Sequence, residues 1–505
     1  LGDGSVEKTL GSVTLRPHQR AAAARLVSLI SANGGAMLAD PVGVGKTYTA
    51  LSVAARFGEA IVVVAPASLR AMWKDALQRC AMHATLLTHE AMSRQPTHGV
   101  DAPVVIVDEA HRLRNPATRR YAAVAELCRR SRVLLVTATP VQNRRNDLTS
   151  QIALYAGRSA WQLSDAELAE HVVRGAPAEM HGVPRLIGPQ RLALATNDDC
   201  LDEILAIPPA LPARDETIVT ALLTYGLVHR WTSSRAALVA SLERRRTHGL
   251  ALMTALEAGR SPSRAELSAW THASDAMQLA FPELVTTPTA GLDMDTVALS
   301  SAVERHTSAV QALLCNLRKS PNPDLERADV LRRLRLAHPE ERIIAFCHYA
   351  QTVNALRSLL ARDRGVAALT ATGARVASGR VSRDTVLAQF TPSRSGAREV
   401  SRAERIDLLI TTDLLSEGLN LQEASVVVHL DLPWNPARLD QRVGRVRRLG
   451  SRHASVNVYA VAPPADAERL IRLEERLRDK LSVAQKTVGV AGRILPSPVA
   501  TLEPE

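Results

Sequence analysis

Short, mainly apolar runs alternate with longer stretches of helical periodicity at both ends of this chain, and the middle lacks such recurrent runs. Over residues 1–150, Ile61–Ala65, Val104–Val107 and Val133–Thr137 have the length of buried strands, while Pro17–Ile30 and Ala67–Gln78 have the spacing of amphipathic helices. That alternation predicts a parallel sheet covered by helices. Residues 151–330 read instead as helices without recurrent strands: Thr217–His229, Arg235–Ala258 and Leu299–Leu317, with Ser263-Arg264-Ala265-Glu266 in the form of a capping box. Arg and Glu interleaved with Leu along Ala236–Ala258 favour a solvated helix with one apolar stripe over a DNA-contacting face.

From about Ala328 the alternation returns, with strand candidates at Arg342–Phe346, Ala367–Leu369, Ile406–Thr411, Ser425–Leu430 and Ser455–Ala460. Residues 391–405 are polar and rich in Ser and Arg, so a loop is expected there. After Pro463-Pro464 an Arg/Glu/Leu-rich helix is expected to about Gln485. The predicted architecture is α/β. Two parallel-sheet lobes, 1–150 and 331–465, flank a mostly helical insertion, 151–330, and a helix and tail, 466–505, follow.

Composition narrows the function. A length of 505 residues suits about three domains, and 46% hydrophobic with 22% charged residues is ordinary for a globular protein. The apolar runs fall short of the roughly 20 residues that cross a bilayer, and no charged-then-apolar leader precedes the first motif, so neither a membrane nor secretion is expected. Five singly scattered cysteines argue against zinc and against a disulfide framework, and fit a reducing cytoplasm. The net charge of +11 favours a polyanionic partner, although an Arg-rich composition gives part of it.

Three elements carry the chemistry. Ala39-Asp40-Pro41-Val42-Gly43-Val44-Gly45-Lys46-Thr47 follows an apolar run and precedes a helical stretch. Its small residues let backbone N–H groups wrap phosphate oxygens at the positive end of the next helix. Lys46 would reach the β- and γ-phosphates and Thr47 would ligate Mg²⁺, although Asp40 stands where a phosphate loop usually opens on Gly. The second element is Asp108-Glu109-Ala110-His111, at the end of a buried-strand run. Carboxylates there face the ligand crevice of a parallel sheet; Asp108 is expected to hold hydrated Mg²⁺ and Glu109 to polarise the attacking water. The third element, Gln441-Arg442-Val443-Gly444-Arg445-Val446-Arg447-Arg448-Leu449-Gly450, spaces Arg445 and Arg448 to share one helix face. From there they could grip the charge that builds on a transferring phosphoryl group.

In this order the elements resemble a helicase superfamily two ATPase of the Swi/Snf-like branch, similar to bacterial stand-alone and RNA-polymerase-associated members. Leu15-Arg16-Pro17-His18-Gln19 is similar to the adenine-reading segment, and Val64–Leu69 with Trp73 to motif Ia. Thr137-Ala138-Thr139-Pro140-Val141-Gln142-Asn143 has the Swi/Snf-like form of motif III, and Phe346-Cys347-His348-Tyr349 resembles motif IV. Thr411-Thr412-Asp413 with Ser416–Gln422 resembles motif V, and Asp431–Pro436 precedes motif VI at Gln441–Gly450.

The resemblance implies two RecA-like lobes with ATP and Mg²⁺ between them. The implied catalytic residues are Lys46, Asp108, Glu109, Gln441, Arg445 and Arg448. The implied nucleotide contacts are Gln19, Pro41, Val42, Gly43, Val44, Gly45, Lys46, Thr47 and Gly418, with Thr47 and Asp108 at the metal. His111, Thr137 and Thr139 would couple hydrolysis to lobe movement, and Ser68, Thr88, Thr352, Thr372, Thr411 and Thr412 would hold a nucleic acid backbone. The favoured reading is an ATPase that translocates on double-stranded DNA, with a polymerase or a defence complex as conceivable protein partners. A strand-separating helicase and an ATP-gated clamp without turnover are the alternatives.

Overall fold

The apolar runs become strands buried on both faces, as a parallel sheet under two layers of helix requires. The computed structural model describes residues 8–58, 60–94, 102–140, 145–175, 182–195, 199–209, 216–260, 296–391, 401, 404–413, 421–433, 436–448, 450–464 and 466–467. The expectations at 263–266, over most of 391–405 and beyond 467 lie outside these residues.

The first sheet comprises β1 (Gly35–Leu38), β2 (Ile61–Ala65), β3 (Thr85–Thr88), β4 (Val104–Asp108), β5 (Arg132–Val136) and β6 (Val172–Val173). Its order is β3-β2-β4-β5-β1-β6, and every pairing is parallel. Alternate residues face opposite layers. Val62, Val64, Val105, Val107, Val133 and Leu135 meet the side of helices Arg119–Cys128 and Arg145–Ala156. Ile61, Val63, Val104, Ile106, Leu134 and Val136 meet helices Pro17–Asn33, Lys46–Ala54 and Arg70–Arg79. The register sets Leu38 and Asp108 each opposite Val136. Three loops therefore leave the same carboxyl edge, after β1, β4 and β5, where open α/β sheets bind ligands.

The second sheet comprises β7 (Arg185–Leu192), β8 (Ile343–Cys347), β9 (Val366–Thr370), β10 (Gly373–Val376), β11 (Gly379–Val381), β12 (Leu408–Thr412), β13 (Val426–His429) and β14 (Ser455–Val461). Its order is β11-β10-β9-β12-β8-β13-β14-β7, parallel except for the antiparallel β9-β10-β11 meander.

Between the sheets, helices Glu216–Ser233, Arg235–Glu257 and Thr296–Lys319 form where the helical periodicity predicts them. Leu238, Leu242, Val310, Leu313 and Leu314 pack together with Leu432 and Leu439, so the insertion shares its core with the second lobe. Within the stretch from 151 to 330, expected to be mostly helical without recurrent strands, two strands nevertheless form: β6 joins the first sheet and β7 the edge of the second. The two-residue β6 is too short to show a period. β7 carries Gly188-Pro189, which reads as a break in sequence, yet an edge strand tolerates Pro. Among the described residues no helix is long and apolar enough to cross a membrane.

Candidate nucleotide site

The loop after β1 turns twice through left-handed backbone, at Gly43 (φ 91°) and Gly45 (φ 88°), a conformation that favours glycine. Space demands glycine as well. A Cβ on Gly45 would lie 2.4 Å from Gln19 Nε2, and one on Gly43 2.5 Å from the Arg447 carbonyl oxygen. Helix Lys46–Ala54 starts immediately afterwards, so Lys46 and the half-buried Thr47 occupy its first turn. Lys46 Nζ donates to the carbonyls of Asp40 and Pro41, both at 2.9 Å. Burial lowers its pKa, and the negative charges of Glu109, Asp40 and Asp108 oppose that shift.

Two side chains fasten the loop from outside. Gln19 Nε2 donates to the carbonyls of Val44 (3.2 Å) and Gly45 (3.4 Å), while its Oε1 accepts from the Arg16 amide at 2.9 Å. The structure thus spends the Gln19 amide on the loop backbone, where the sequence comparison assigned it to adenine. Asp40 is 1% exposed and its Oδ1 accepts from the Gly175 amide at 2.6 Å, tying the loop to the chain leaving β6. That bond is a physical reason for an acidic residue at this position, and it was invisible in sequence because its partner is far away in the chain.

At the end of β4, Asp108 is 7% exposed and accepts from Trp73 Nε1 and from the Glu109 amide, each at 2.9 Å. Burial and the neighbouring Glu109 charge push its carboxyl up. Burial pushes Glu109 the same way, but His111, Lys46 and Arg445 outweigh it and hold the group ionised. Glu109 has φ 51°, an unusual left-handed conformation for a residue with a side chain. Its Oε2 lies 3.2 Å from His111 Nδ1, which is also 3.2 Å from Thr137 Oγ1; that oxygen accepts from the Thr139 amide at 3.1 Å. Glu109, His111, Thr137 and Thr139 therefore form one connected path from the end of β4 to the loop after β5. Trp73, whose motif gave no sign of this contact, and His89, whose ring nitrogen is 2.7 Å from the Asp108 carbonyl oxygen, support Asp108 from outside its own segment.

The second lobe closes on this loop. Helix Pro436–Gly444 ends with Gly444 against Val42; a Cβ there would fall 2.4 Å from Val42 Cβ. Arg445 and Arg448 consequently leave from the turn after the helix, which corrects the expectation that they share a helix face. Arg445 is 5% exposed, and its charge acts on both Lys46 and Glu109 across the lobes. Arg448 lies over Gly43, with its Nε donating to the Gly444 carbonyl at 3.2 Å. Gln441 is half-buried on the helix, and Gly418 lies outside the described residues.

The neighbour of Gln441, Arg442, was given no role by the sequence reading, yet it fixes this corner. It is 1% exposed, donates to both carboxylate oxygens of Asp413 (2.5 and 2.9 Å), and reaches Asp431 Oδ1 at 3.2 Å and its carbonyl at 2.9 Å. Burial alone would raise the Asp413 carboxyl, but the Arg442 guanidinium holds it far below the carboxylate range.

The expected backbone-binding hydroxyls divide into two groups. Ser68 and Thr372 are exposed, and Thr88 is half-buried, its hydroxyl capping helix His89–Met92 by accepting from the Ala91 amide at 3.1 Å. Thr352, Thr411 and Thr412 are buried, so the structure does not offer them to a strand. For Thr352 the cause is the insertion: its hydroxyl lies 3.0 Å from that of Ser233 and 2.7 Å from that of Ser234. Thr352→Val is expected to lower stability by about 1–2 kcal/mol in denaturant unfolding, through two lost buried hydrogen bonds, and to leave DNA affinity unchanged in a duplex titration.

The helicase conserved C-terminal domain matches residues 326–450, the SNF2-related domain residues 88–165, and the type III restriction enzyme res subunit family residues 12–97. The chain is 24% identical to the uncharacterized ATP-dependent helicase YqhH of Bacillus subtilis, over 96% of this chain and 82% of that protein. It is 31% identical to the RNA polymerase-associated protein RapA of Serratia proteamaculans, but over only 25% of this chain and 12% of that one. A match to the Sulfolobus solfataricus SWI2/SNF2 ATPase core, solved in complex with dsDNA, covers 96% of this chain and 99% of that one, at 15% identity and a TM-score of 0.35. The three family matches fall on the two lobes, and the chain carries helicase superfamily two domains, with a SNF2-related segment in its first lobe, and is an ATP-hydrolysing, nucleic-acid-dependent enzyme.

Proposed function

We propose that this protein is an ATPase stimulated by double-stranded DNA that translocates along the duplex without separating its strands. The observation that carries the reading is the approach of Arg445 and Arg448 from the second lobe to Lys46, Glu109 and Gly43 in the first. With both halves needed at the phosphates, each hydrolysis can be tied to one opening and closing of the cleft. The duplex preference is supported by the Thr137-Ala138-Thr139 form of motif III and by the SNF2-related match over 88–165.

In this reading Lys46 grips the β- and γ-phosphates, Glu109 orients the attacking water, and Arg445 with Arg448 stabilises charge on the transferring group. Asp108 and Thr47 suit Mg²⁺: a buried carboxyl whose pKa is pushed up gains from a cation beside it, and the Thr47 hydroxyl stands at the head of the loop helix. Among the described residues no group of three His, Cys, Asp or Glu is placed to bind a metal alone. That suits an ion held largely by nucleotide phosphate and water. Ser68, Thr88 and Thr372 are the proposed backbone contacts. The division into 1–150, 151–330, 331–465 and 466–505 is kept in outline, with β6 assigned to the first lobe and β7 to the second. A cytoplasmic setting, resting on the five free cysteines, and a polymerase or defence complex as partner belong to the same proposal.

ATPase rates with double-stranded DNA, single-stranded DNA and RNA test it. Duplex DNA is expected to stimulate most, with triplex displacement and no unwinding of a forked duplex. Stimulation by single strands alone, or fork unwinding, returns the strand-separating helicase. DNA affinity is expected to drop roughly 10³-fold between about 50 and 200 mM salt, as counterion release from several phosphates demands. A flat salt dependence counts against backbone binding.

A further inference from the structure

Arginine keeps its charge inside proteins, so a buried guanidinium calls for an anion beside it. In the insertion, Arg245 on helix Arg235–Glu257 is 6% exposed, and its Nε and one terminal nitrogen are buried without a hydrogen-bond partner among the described residues. The nearest acid along the helix, Glu243, is already engaged by Arg246 and Arg318, each at 2.8 Å. A second cation, Arg230, lies close enough for its charge to act on Arg245. Arg230 is 3% exposed, donates to the Gly226 carbonyl at 3.1 Å, and sits 5.1 Å from the centre of the Tyr349 ring. Arg244 is exposed and its charge also acts on Arg245, which leaves a basic approach from solvent. On the facing helix, Thr296–Lys319, His306 feels the Arg245 charge, and the next residue, Thr307, is 7% exposed with its hydroxyl lacking a partner among the described residues.

We propose that the insertion binds a phosphate-class oxoanion between helices Arg235–Glu257 and Thr296–Lys319, held by the Arg245 guanidinium with Arg230 and Thr307 beside it. Charged and neutral donors, with no carboxylate among the described groups whose charge acts on Arg245, suit a tetrahedral, multiply charged oxyanion better than a single carboxylate. Through Arg230 and Tyr349 the bound anion would sit at the junction of the insertion with the segment following β8.

Inorganic phosphate is the probe, used on the full chain carrying Lys46→Ala so that the nucleotide loop contributes little. Calorimetric titration is expected to show saturable binding, and the melting temperature to rise in phosphate relative to chloride at equal ionic strength. Arg245→Leu in that background is expected to weaken phosphate about tenfold or more, and Arg245→Lys to weaken it less. Should Arg245→Leu fail to fold, Thr307→Val gives the same comparison with the guanidinium intact. Competition by a 5′-phosphorylated oligonucleotide, but not its unphosphorylated twin, would assign the site to a nucleic acid end; no competition would assign it to free phosphate, and either leaves the site standing. Equal phosphate affinity in the parent, Arg245→Leu and Thr307→Val, or no binding by the parent, overturns the proposal.

Discussion

Arg445→Ala is expected to cut the nucleic-acid-stimulated ATPase rate by roughly 10³–10⁵-fold, the range found when the arginine of a phosphoryl-transfer site is removed, while nucleotide binding persists. The split follows from where the groups stand. The loop after β1 and its fastenings by Gln19 and Asp40 belong to the first lobe and are untouched. Arg445 comes from the second lobe, and its charge reaches Lys46 and Glu109 only across the cleft. Equilibrium binding of a fluorescent nucleotide beside steady-state turnover separates the two effects. Arg445 is nearly buried and its carbonyl accepts from the Leu421 amide at 3.0 Å, so Arg445→Lys serves as the control that keeps a cation in place. Lysine lacks the planar fork, and partial recovery is expected. Turnover near the wild-type rate in Arg445→Ala would remove this residue from the mechanism.

Lys46→Ala should lower turnover by about 10²–10³-fold, the usual cost of removing a charged donor from developing negative charge, and should weaken nucleotide binding as well. Its ammonium now donates to the Asp40 and Pro41 carbonyls, so an entering phosphate exchanges two neutral acceptors for charged ones. Burial lowers the Lys46 pKa, and three nearby carboxylates, Glu109, Asp40 and Asp108, oppose that shift. Lys46→Ala leaves those carboxylates facing a phosphate without a cation between them, which is why both the binding constant and the rate are expected to suffer. Unchanged nucleotide affinity in the variant would show that the ammonium does not reach the phosphates.

The nucleotide loop and the acidic end of β4 were readable in the sequence because their requirements are local. Backbone curvature asks for Gly43 and Gly45, the helix start fixes Lys46, and a buried strand ending in carboxylates marks Asp108 and Glu109. The supports of those groups were not readable. Trp73 to Asp108, Gln19 to the Val44 carbonyl and Asp40 to the Gly175 amide each join residues far apart in the chain, with no periodicity to betray them. Arg442 looked like one more basic residue in an Arg-rich run, and only the fold brings Asp413 and Asp431 around it. Thr352 failed as a surface contact for the same reason. Its own segment says nothing about Ser233 and Ser234, which reach it from the insertion.

The described strands from β1 to β6 belong to the first sheet and those from β7 to β14 to the second, so the backbone passes between them once, between Val173 and Arg185. A gene divided in that interval would encode two polypeptides, each bearing a whole sheet, with the insertion travelling on the second. Neither half alone would hydrolyse ATP, and mixing them would restore the reaction only as fast as the halves dock, turning reassembly of this motor into something a stopwatch can follow.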